Sequence, residues 1–445
     1  MSTVETFSEQ VRLAATTHNA GLFSDLFQLE EYNPGVIALQ KDLYNIDTVR
    51  CESIVNRVLE DQSSALSEFV CAYLVVLRNL KDPSIIDVYD HYANFYSTLV
   101  PVFNGADTFY QVSLVRRLSS ELVSLAFLAD NHENLKGKAR KTNSAARLLS
   151  KIFNIMLADR APMEESKRQG IFHITNLAFK AYFKLDSIRL CQTLISNIRT
   201  GNVNIDIYPI AQQVTYRYYL GRYYLYSNLL RKADECLSFA FDKCTFQQWN
   251  NKRLILKFLI PCRIILGKFP SMQLLTKYQL VIPFAGLIQT LKSGNLYEYL
   301  NHLDVHFGFF YKTFTYVMLR ERGTVLVWTC LLRRLSQIVV AERNVMTFDH
   351  CHLALSKSTQ DPTLDMQDTE SILVSLVSQR YIRGYLYHQK RLLVLSKTAP
   401  FPPISAIRVY TEKYDDQKAE NHLSNVPSGP TEEVQEMVSG MGDGY

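Results

Sequence analysis

Apolar residues recur every three or four positions through most of this chain, and that spacing constrains its fold more than any other feature. The pattern runs from about residue 5 to residue 340 and is typical of amphipathic helices. From residue 382 the pattern changes: Ile382, Gly384 and Leu386 alternate with polar or aromatic neighbours. Alternation at period two is typical of a half-buried strand. The chain is therefore predicted to be mainly α-helical, with a β-hairpin late in the sequence.

A tyrosine-rich stretch, residues 215–244, predicts how the helices are arranged. Small residues at Gly221 and Ala233 let two antiparallel helices approach closely, and Tyr224 fills the space between them. The spacing matches the tetratricopeptide (TPR) pattern, with leucine in place of its phenylalanine. The matching positions are Leu220, Gly221, Tyr224, Ala233, Leu237 and Ala240. We predict that Tyr224 is a core residue and that Tyr216, Tyr219 and Tyr223 pack on neighbouring helices, with Arg217 and Arg222 as candidates for the outer surface.

Other helix pairs match the pattern less well. A degenerate copy begins at Leu177-Ala178, and another pair turns at Gly294-Asn295. One good match and two poor ones predict an irregular TPR-like α-solenoid of helical hairpins rather than a regular array.

The segment that follows has the outline of a winged helix. Three short helical patterns are followed by the alternating stretch, and Thr347 and Asp365 are candidate N-caps of the second and third helices. His388 to Arg391 are predicted to form the turn between two strands. The predicted organisation is an N-terminal helical region at 1–144, TPR-like repeats at 145–310, a winged helix at 311–405 and a disordered acidic tail at 406–445.

Charge is unevenly distributed between the body and the tail. The chain carries a net charge of +5, but residues 411–445 contain two lysines and eight acids. The segment from Ser371 to Tyr410 has six basic residues and no acid. Such a balance predicts a polyanionic or acidic partner and a solvated C-terminal segment.

The cysteines and the absence of apolar spans predict an intracellular protein. The eight cysteines form no C-x-x-C pair, and most lie in apolar helical runs, as expected of buried free thiols in a reducing compartment. We find no secretory signal pattern and no apolar run of about 18 residues. A cytoplasmic or nuclear location is therefore predicted.

Several motifs in the second half of the chain resemble one family closely. They include "DRAPMEESKRQG", "QQVTYRYYLGRYYL", "ADECLSFAFDKC", "NKRLILKFLIPCRIILGKFP", "IRGYLYHQKRLLVLSK" and "PFPPIS", in order across about residues 145–405. A helical solenoid capped by a winged helix is the PCI-domain architecture, and this run of motifs resembles the PCI domain-containing protein 2 family. Its fungal relatives include the PCI subunit of the transcription-and-export complex and the signalosome subunit 12 homologues.

The resemblance implies a non-enzymatic scaffold subunit of a nuclear complex that couples transcription to messenger RNA export at the nuclear pore. It implies two protein partners: a large helical-repeat scaffold subunit and a small acidic, disordered proteasome-type subunit. It also implies that paired winged helices bind nucleic acid. Thr329-Cys330-Leu331 depart from the family's Arg-Asn-Leu run, and the acidic tail extends beyond the family's usual end.

The winged helix is the predicted nucleic-acid-binding site. Its cations are predicted to neutralise phosphates, and Tyr385 and Tyr387 are predicted to stack on exposed bases. The predicted binding residues are Arg333, Arg334, Arg380, Arg383, Lys390, Arg391 and Lys397. The alternative is that the hairpin only pairs with a partner's winged helix while its charges serve solubility. Lys252, Arg253 and Lys257 are predicted to form a solvated face or a dock for an acidic partner, with the last two on one helical face.

No catalytic, metal or cofactor site is predicted. The stretch "FDHCH", residues 348–352, resembles a metal cluster, but adjacent residues on a helix point apart and no second Cys/His group is near. Hydrolase, metalloprotease and P-loop signatures are absent from the sequence. Two readings stay open: an export-complex scaffold that helps bind RNA or DNA, and a signalosome-associated assembly subunit that uses the winged helix only for protein pairing.

Overall fold

The structure is a computed structural model that describes residues 3–29, 33–80, 84–339 and 344–407. The predicted acidic tail lies outside the described residues from residue 408 onward. The chain divides into two compact units, residues 1–223 with 242–244 and residues 224–241 with 245–445. This division falls inside the predicted repeat segment 145–310, so the four-part organisation inferred from the sequence stays a prediction.

Helices occupy nearly all of the first unit. Polar N-cap side chains begin several of them: those of Asn19, Asn33, Asp47, Ser63 and Ser84 each accept a hydrogen bond from a first-turn backbone N–H. The helices are α1 (Thr3–Thr16), α2 (Ala20–Leu26), α3 (Pro34–Asn45), α4 (Thr48–Val58), α5 (Ser64–Asn79), α6 (Ile85–Asn104), α7 (Val112–His132), α8 (Lys141–Ala158), α9 (Ile171–Lys184) and α10 (Cys191–Thr200).

Two helices, α11 (Ile210–Tyr226) and α12 (Leu230–Lys243), each contain residues of both units. The second unit continues with α13 (Trp249–Ile265), α14 (Met272–Lys277), α15 (Val281–Ser293), α16 (Leu296–Val305), α17 (Phe307–Lys312), α18 (Tyr316–Val339), α19 (Phe348–Thr359) and α20 (Met366–Ser378). Its strands are β1 (Val345–Thr347), β2 (Gly384–Tyr387) and β3 (Leu392–Leu395). Within the described residues, no helix has both the length and the apolar character that crossing a bilayer requires.

Aromatic side chains fill the core of the first unit. The Phe27 ring lies 4.7 Å from Phe69, 5.1 Å from Tyr73 and 5.9 Å from Phe7, measured between ring centroids. Edge and tilted contacts of this kind add about 0.5–1.5 kcal/mol per pair to the free energy of burying the rings. The Tyr73 hydroxyl donates to the carbonyl of Gln28 at 2.6 Å, so its polar end is satisfied inside the core.

Tyr216 and Tyr219, at the start of the tyrosine-rich stretch, pack mainly against α9. Tyr216 is buried, with its ring 4.9 Å from Phe172 and 5.8 Å from Phe179, and Tyr219 lies 5.6 Å from Phe183. The prediction that Tyr216, Tyr219 and Tyr223 pack against neighbouring helices is confirmed, since the latter two also border the core. Gly221, Ala233, Leu237 and Ala240 are buried, whereas Tyr224 is only half-buried.

The two arginines of this stretch, predicted as candidates for the outer surface, make contacts within the chain. The Arg222 guanidinium lies over the Phe183 ring, 4.0 Å from its centroid, and Arg217 pairs with Asp206 at 3.6 Å. Both side chains are half-buried. An arginine stacks its planar head on an aromatic ring and lays its methylenes along apolar surface, so its charge does not by itself place it outside.

The predicted winged helix is present in the second unit. The helices α18, α19 and α20 precede the hairpin, and both predicted N-caps are confirmed: Thr347 accepts from the His350 N–H, and Asp365 forms a reciprocal capping box with Asp368. The strand β1 was not anticipated from the sequence. It pairs antiparallel with β3, giving a three-stranded sheet in the order β1-β3-β2.

The sheet has one buried and one exposed face. Met346 and Leu393 are paired across β1 and β3 and are both fully buried against the helices. The opposite face consists of two cross-strand rows. These rows are Val345, Val394 and Tyr385, and Thr347, Leu392 and Tyr387. The predicted alternation along β2 is therefore confirmed, because its tyrosines lie on the outer face.

All eight cysteines are free thiols, and six of them are buried. Cys71 and Cys330 are half-buried. Burial raises the pKa of Cys351 and of Cys191 to about 12, so these thiols stay protonated and unreactive at neutral pH. The prediction of buried free thiols is confirmed for most of the set.

A buried carboxylate joins α12 to the end of α13. Asp234 accepts hydrogen bonds from Arg263 Nε at 2.9 Å and from Lys268 Nζ at 2.6 Å. Burial alone would raise the pKa of Asp234, but the hydrogen bonds from Lys268 and Arg263 outweigh it and hold this pKa below its ordinary value.

This pKa predicts how acid affects stability. Because the folded-state pKa of Asp234 is below the unfolded one, the carboxylate stabilises the fold above the unfolded pKa, and this contribution is lost as the pH falls through about 4 and below. We expect Asp234→Asn to lower the free energy of unfolding by about 2–4 kcal/mol at neutral pH. Chemical denaturation at pH 7 and at pH 3.5 measures this free energy of unfolding. The difference between Asp234→Asn and wild type should be smaller at pH 3.5. An equal difference at both pH values would contradict this role.

Candidate nucleic-acid interface

The hairpin of β2 and β3 presents aromatic side chains to solvent. Tyr385 and Tyr387 are 63% and 40% exposed and lie two residues apart on the outer face. Within the described residues, neither phenol ring packs against another aromatic ring. Exposed aromatic rings on a sheet are the platforms on which single-stranded bases stack.

Backbone hydrogen bonds fix the turn of this hairpin. Residues His388–Lys390 form one 3-10 turn, and Arg391 follows in the left-handed region with φ +54°. The Arg391 carbonyl accepts from the Phe348 N–H, at the start of α19, at 2.9 Å. The turn is thus held against the end of a helix, which fixes the direction in which its side chains leave the sheet.

Five of the predicted binding residues cluster around this hairpin, and all five are exposed. Lys390 and Arg391 lie in the turn, and the Lys390 ammonium is 5.4 Å from the centroid of the Tyr387 ring. At the opposite end, Arg383 precedes β2 and its N–H donates to the Pro400 carbonyl at 2.8 Å. The five residues are Arg380, Arg383, Lys390, Arg391 and Lys397. The hairpin therefore has cations at both ends and tyrosines between them.

One carboxylate reaches this surface, and sequence reasoning missed it. Glu370 Oε1 lies 2.5 Å from His388 Nδ1 at the start of the turn. The acid-free window considered in the sequence begins at Ser371, one residue later. Glu370 lies on α20, and only the packing of that helix brings its carboxylate to the hairpin.

The structure does not bring Arg333 and Arg334 to the hairpin. Arg334 Nη1 donates to the Ser293 carbonyl at 3.3 Å, at the end of α15. The carbonyl of the next residue, Gly294, accepts from Ser358 in the last turn of α19. The hairpin turn contacts the first residue of α19, so the full helix, about 18 Å long, separates the two basic groups. Burial raises the pKa of the half-buried Cys330, and the nearby charges of Arg333, Arg334 and Lys292 oppose this rise, so these cations form a second, separate basic spot.

Two of the three residues predicted to dock an acidic partner are bound within the chain. Lys252 Nζ donates to the Phe241 carbonyl at 2.8 Å, and Arg253 Nε donates to the Tyr278 carbonyl at 3.0 Å. Lys257 is half-buried, and its burial, followed by the charge of Arg253 four residues earlier in α13, lowers its pKa. This face caps helix carbonyls, so the expectation of a solvated face is wrong for Lys252 and Arg253. Docking of an acidic partner here stays a prediction.

The stretch 348–352 does not converge on a metal position. Cys351 is buried, His350 is exposed, and His352 Nδ1 lies 3.0 Å from the Thr369 hydroxyl. Among the described parts of the chain, no group of three or more His, Cys, Asp or Glu side chains is placed to hold a metal ion.

A helical unit that ends in a winged helix is the architecture of the PCI class of proteins. A PCI domain-containing protein of Schizosaccharomyces pombe is 32% identical over 349 residues, which are 75% of this chain and 79% of the relative. A PCI domain-containing protein 2 homolog of Dictyostelium discoideum is 32% identical, covering 76% and 79%. PCI domain-containing protein 2 of Danio rerio is 30% identical, covering 76% and 85%. No family model matches the chain.

The chain belongs to the PCI domain-containing protein 2 family. Each of these relatives aligns with about three quarters of this chain. Membership confirms the resemblance drawn from the motifs and supports a PCI scaffold subunit.

Proposed function

We propose that this chain is a non-enzymatic scaffold subunit of a nuclear complex that couples transcription to messenger RNA export, and that its winged helix contributes to RNA or DNA binding. The protein partners are a large helical-repeat scaffold subunit and a small acidic, disordered proteasome-type subunit. The location is the nucleus, at the nuclear pore, with a share in the cytoplasm. Binding involves no small-molecule substrate, no cofactor and no membrane insertion.

The observation that carries the nucleic-acid role is the exposed basic hairpin with its two tyrosines. Its cations number five, and Glu370 supplies one carboxylate beside them. Each side chain that neutralises a phosphate releases condensed counterions, which makes binding favourable and salt-dependent. Stacking of a base on an aromatic side chain adds about 1–3 kcal/mol. Tyr385 and Tyr387 stand between the cations, so backbone and base contacts are available on one face.

A second candidate function is supported by the apolar part of the same face. Val345, Val394 and Leu392 are half-buried on the outer side of the sheet, and β1 and β2 are its edge strands within the described residues. Edge strands and an apolar sheet face suit pairing with another protein. The alternative is therefore a signalosome-associated assembly subunit whose winged helix only pairs with a partner.

A charge-reversed hairpin separates these two functions. We expect that a chain carrying Arg383→Glu, Lys390→Glu and Arg391→Glu still assembles with its protein partners, because these side chains leave the sheet at its ends, but no longer retains RNA. The readout is co-purification of partners and of RNA with the tagged chain from nuclei. Loss of the partners together with the RNA would favour the pairing function and contradict ours.

The matched control reverses three exposed lysines elsewhere in the same unit: Lys277→Glu, Lys312→Glu and Lys357→Glu. It imposes the same change in net charge, so retention of RNA by this control assigns the loss to the hairpin. The identity of the wild-type partners decides the assembly: a large export scaffold with a small acidic subunit supports the proposal, whereas signalosome subunits contradict it.

A further inference from the structure

We propose that the acidic segment 411–445 of this chain binds in cis to the basic hairpin surface and competes there with polyanions. The contact itself requires only the charges and the cavity described below. Its consequence for RNA rests on the proposed function.

A cavity at the base of the hairpin is the first part of this surface. It has a volume of about 860 Å³ and lies between the end of α20, the start of β2 and the last described residues. Arg380 and Arg383 line it, and so do Ala406 and Ile407. Arg380 has φ +67°, a left-handed conformation that ends the helix beside the cavity. A cavity of this size accommodates several side chains of a peptide segment.

The chain is anchored at the rim of this cavity immediately before the acidic segment begins. Arg231 Nη2 donates to the carbonyls of Ser405 and Ile407 at 3.0 and 3.2 Å. Ile407 is buried, and Ile404 packs against Gly267. The acidic segment therefore starts from a fixed point that lies next to two exposed arginines.

The charges of the two parts are complementary. Residues 371–407 contain five basic residues and no acid, and residues 411–445 contain eight acids and two lysines. Opposite charges in proximity attract with an energy that falls steeply with distance and salt. No other part of this sequence combines so many acids with a tether to the hairpin.

The acids are within reach of the whole hairpin. Glu412 follows the anchored Ile407 by five residues, which span up to about 17 Å. Each hairpin strand has four residues, or about 13 Å. The first acids are therefore within reach of the arginines that line the cavity, and the later acids, from Glu432 onward, follow the anchor by 25 residues, which span far more than the length of the hairpin.

Tethering makes weak contacts effective. A segment joined to its binding surface by a short connection has an effective concentration on the order of millimolar. If the intrinsic dissociation constant is about 0.1–1 mM, the segment then occupies the hairpin surface for much of the time. Nucleic acid must displace the segment, so its apparent affinity falls by a factor of about 2–10.

Zero-length carbodiimide cross-linking of the full chain, without nucleic acid, tests the contact directly. Amide bonds between tail carboxylates and Lys390 or Lys397 are expected at low salt. They should disappear at about 1 M salt, where the Debye length is about 3 Å. The exposed lysines 277 and 312 serve as internal references. Equal cross-linking of the tail to these references, absence of cross-links, or cross-links found only between different chains would overturn the proposal.

Neutralising the tail tests the competition. The variant carries Glu412→Gln, Asp415→Asn, Asp416→Asn, Glu420→Gln, Glu432→Gln, Glu433→Gln, Glu436→Gln and Asp443→Asn. We expect a single-stranded RNA of about 16 nucleotides to bind it 2- to 10-fold more tightly than wild type. The control with opposite sign, Lys413→Gln with Lys418→Gln, should weaken binding. Cross-links without any RNA binding would uphold the tail contact and refute the nucleic-acid role, so the two failures are distinguishable.

Discussion

Gly384→Ala is expected to destroy the hairpin. Gly384 pairs with Leu395 at the start of β2, and a Cβ at this position would overlap the carbonyl oxygen of Val394 in the neighbouring strand and lie 3.2 Å from the Leu395 Cα. These atoms belong to the backbone of β3 and cannot rotate away as a side chain would. We expect a loss of about 3–5 kcal/mol in the free energy of unfolding, at the upper end of overpacking effects.

Denaturant unfolding and amide hydrogen exchange measure this effect. Exchange of the β2 and β3 amides should accelerate more than that of the helices, because the clash lies between the two strands. Gly308→Ala is the matched control: Gly308 lies in α17, and a Cβ there meets no atom within 4 Å. It should be neutral or stabilising by up to about 1 kcal/mol. Wild-type stability of Gly384→Ala would contradict the strand pairing described here.

Gly294→Ala is expected to separate α15 from the winged helix. Gly294 ends α15 with φ +78°, and a Cβ would lie 2.7 Å from Leu331 Cα and 2.9 Å from Leu331 N, in the backbone of α18. The Gly294 carbonyl also accepts from the Ser358 hydroxyl at 2.7 Å, so movement of this turn disturbs α19 as well. The left-handed backbone strain and the overlap with Leu331 together predict a loss of about 4 kcal/mol or more in the free energy of unfolding.

Gly137→Ala separates the two causes of that loss. Gly137 also has positive φ, at +57°, but a Cβ there meets no atom within 4 Å. This control carries the left-handed strain alone and should cost about 1–2 kcal/mol. Thermal unfolding of both variants gives the difference due to packing against Leu331. Equal losses in the two variants would show that the contact with α18 does not matter.

Local sequence features predicted the winged helix well. The change from helical to alternating spacing identified β2, and Thr347 and Asp365 marked two helix starts because N-caps depend on neighbouring backbone groups. The strand β1 escaped prediction for a physical reason. It has three residues, and its partner β3 lies about 47 positions later in the sequence, so only tertiary pairing defines it.

Charge patterns were less informative, because a cation on a helix can serve its own fold. Lys252 and Arg253 donate to backbone carbonyls, and Arg222 stacks on Phe183, which only the arrangement of neighbouring helices reveals. The carboxylate of Glu370 reaches His388 across 18 residues of sequence. In contrast, the exposure of Lys390 and Arg391 was predictable, since a tight turn between strands has no adjacent carbonyl row for them to cap.

The salt dependence of RNA binding tests the central claim most directly. The dissociation constant of a single-stranded RNA is measured at increasing salt for wild type, for the Arg383→Glu, Lys390→Glu, Arg391→Glu variant and for its Lys277→Glu, Lys312→Glu, Lys357→Glu control. Each phosphate contact contributes about 0.7 to the slope of log affinity against log salt. We predict that the hairpin variant loses about 2 from the wild-type slope and about 100-fold in affinity at low salt, whereas the control keeps its slope. An unchanged slope and affinity in the hairpin variant would contradict a nucleic-acid interface on this winged helix.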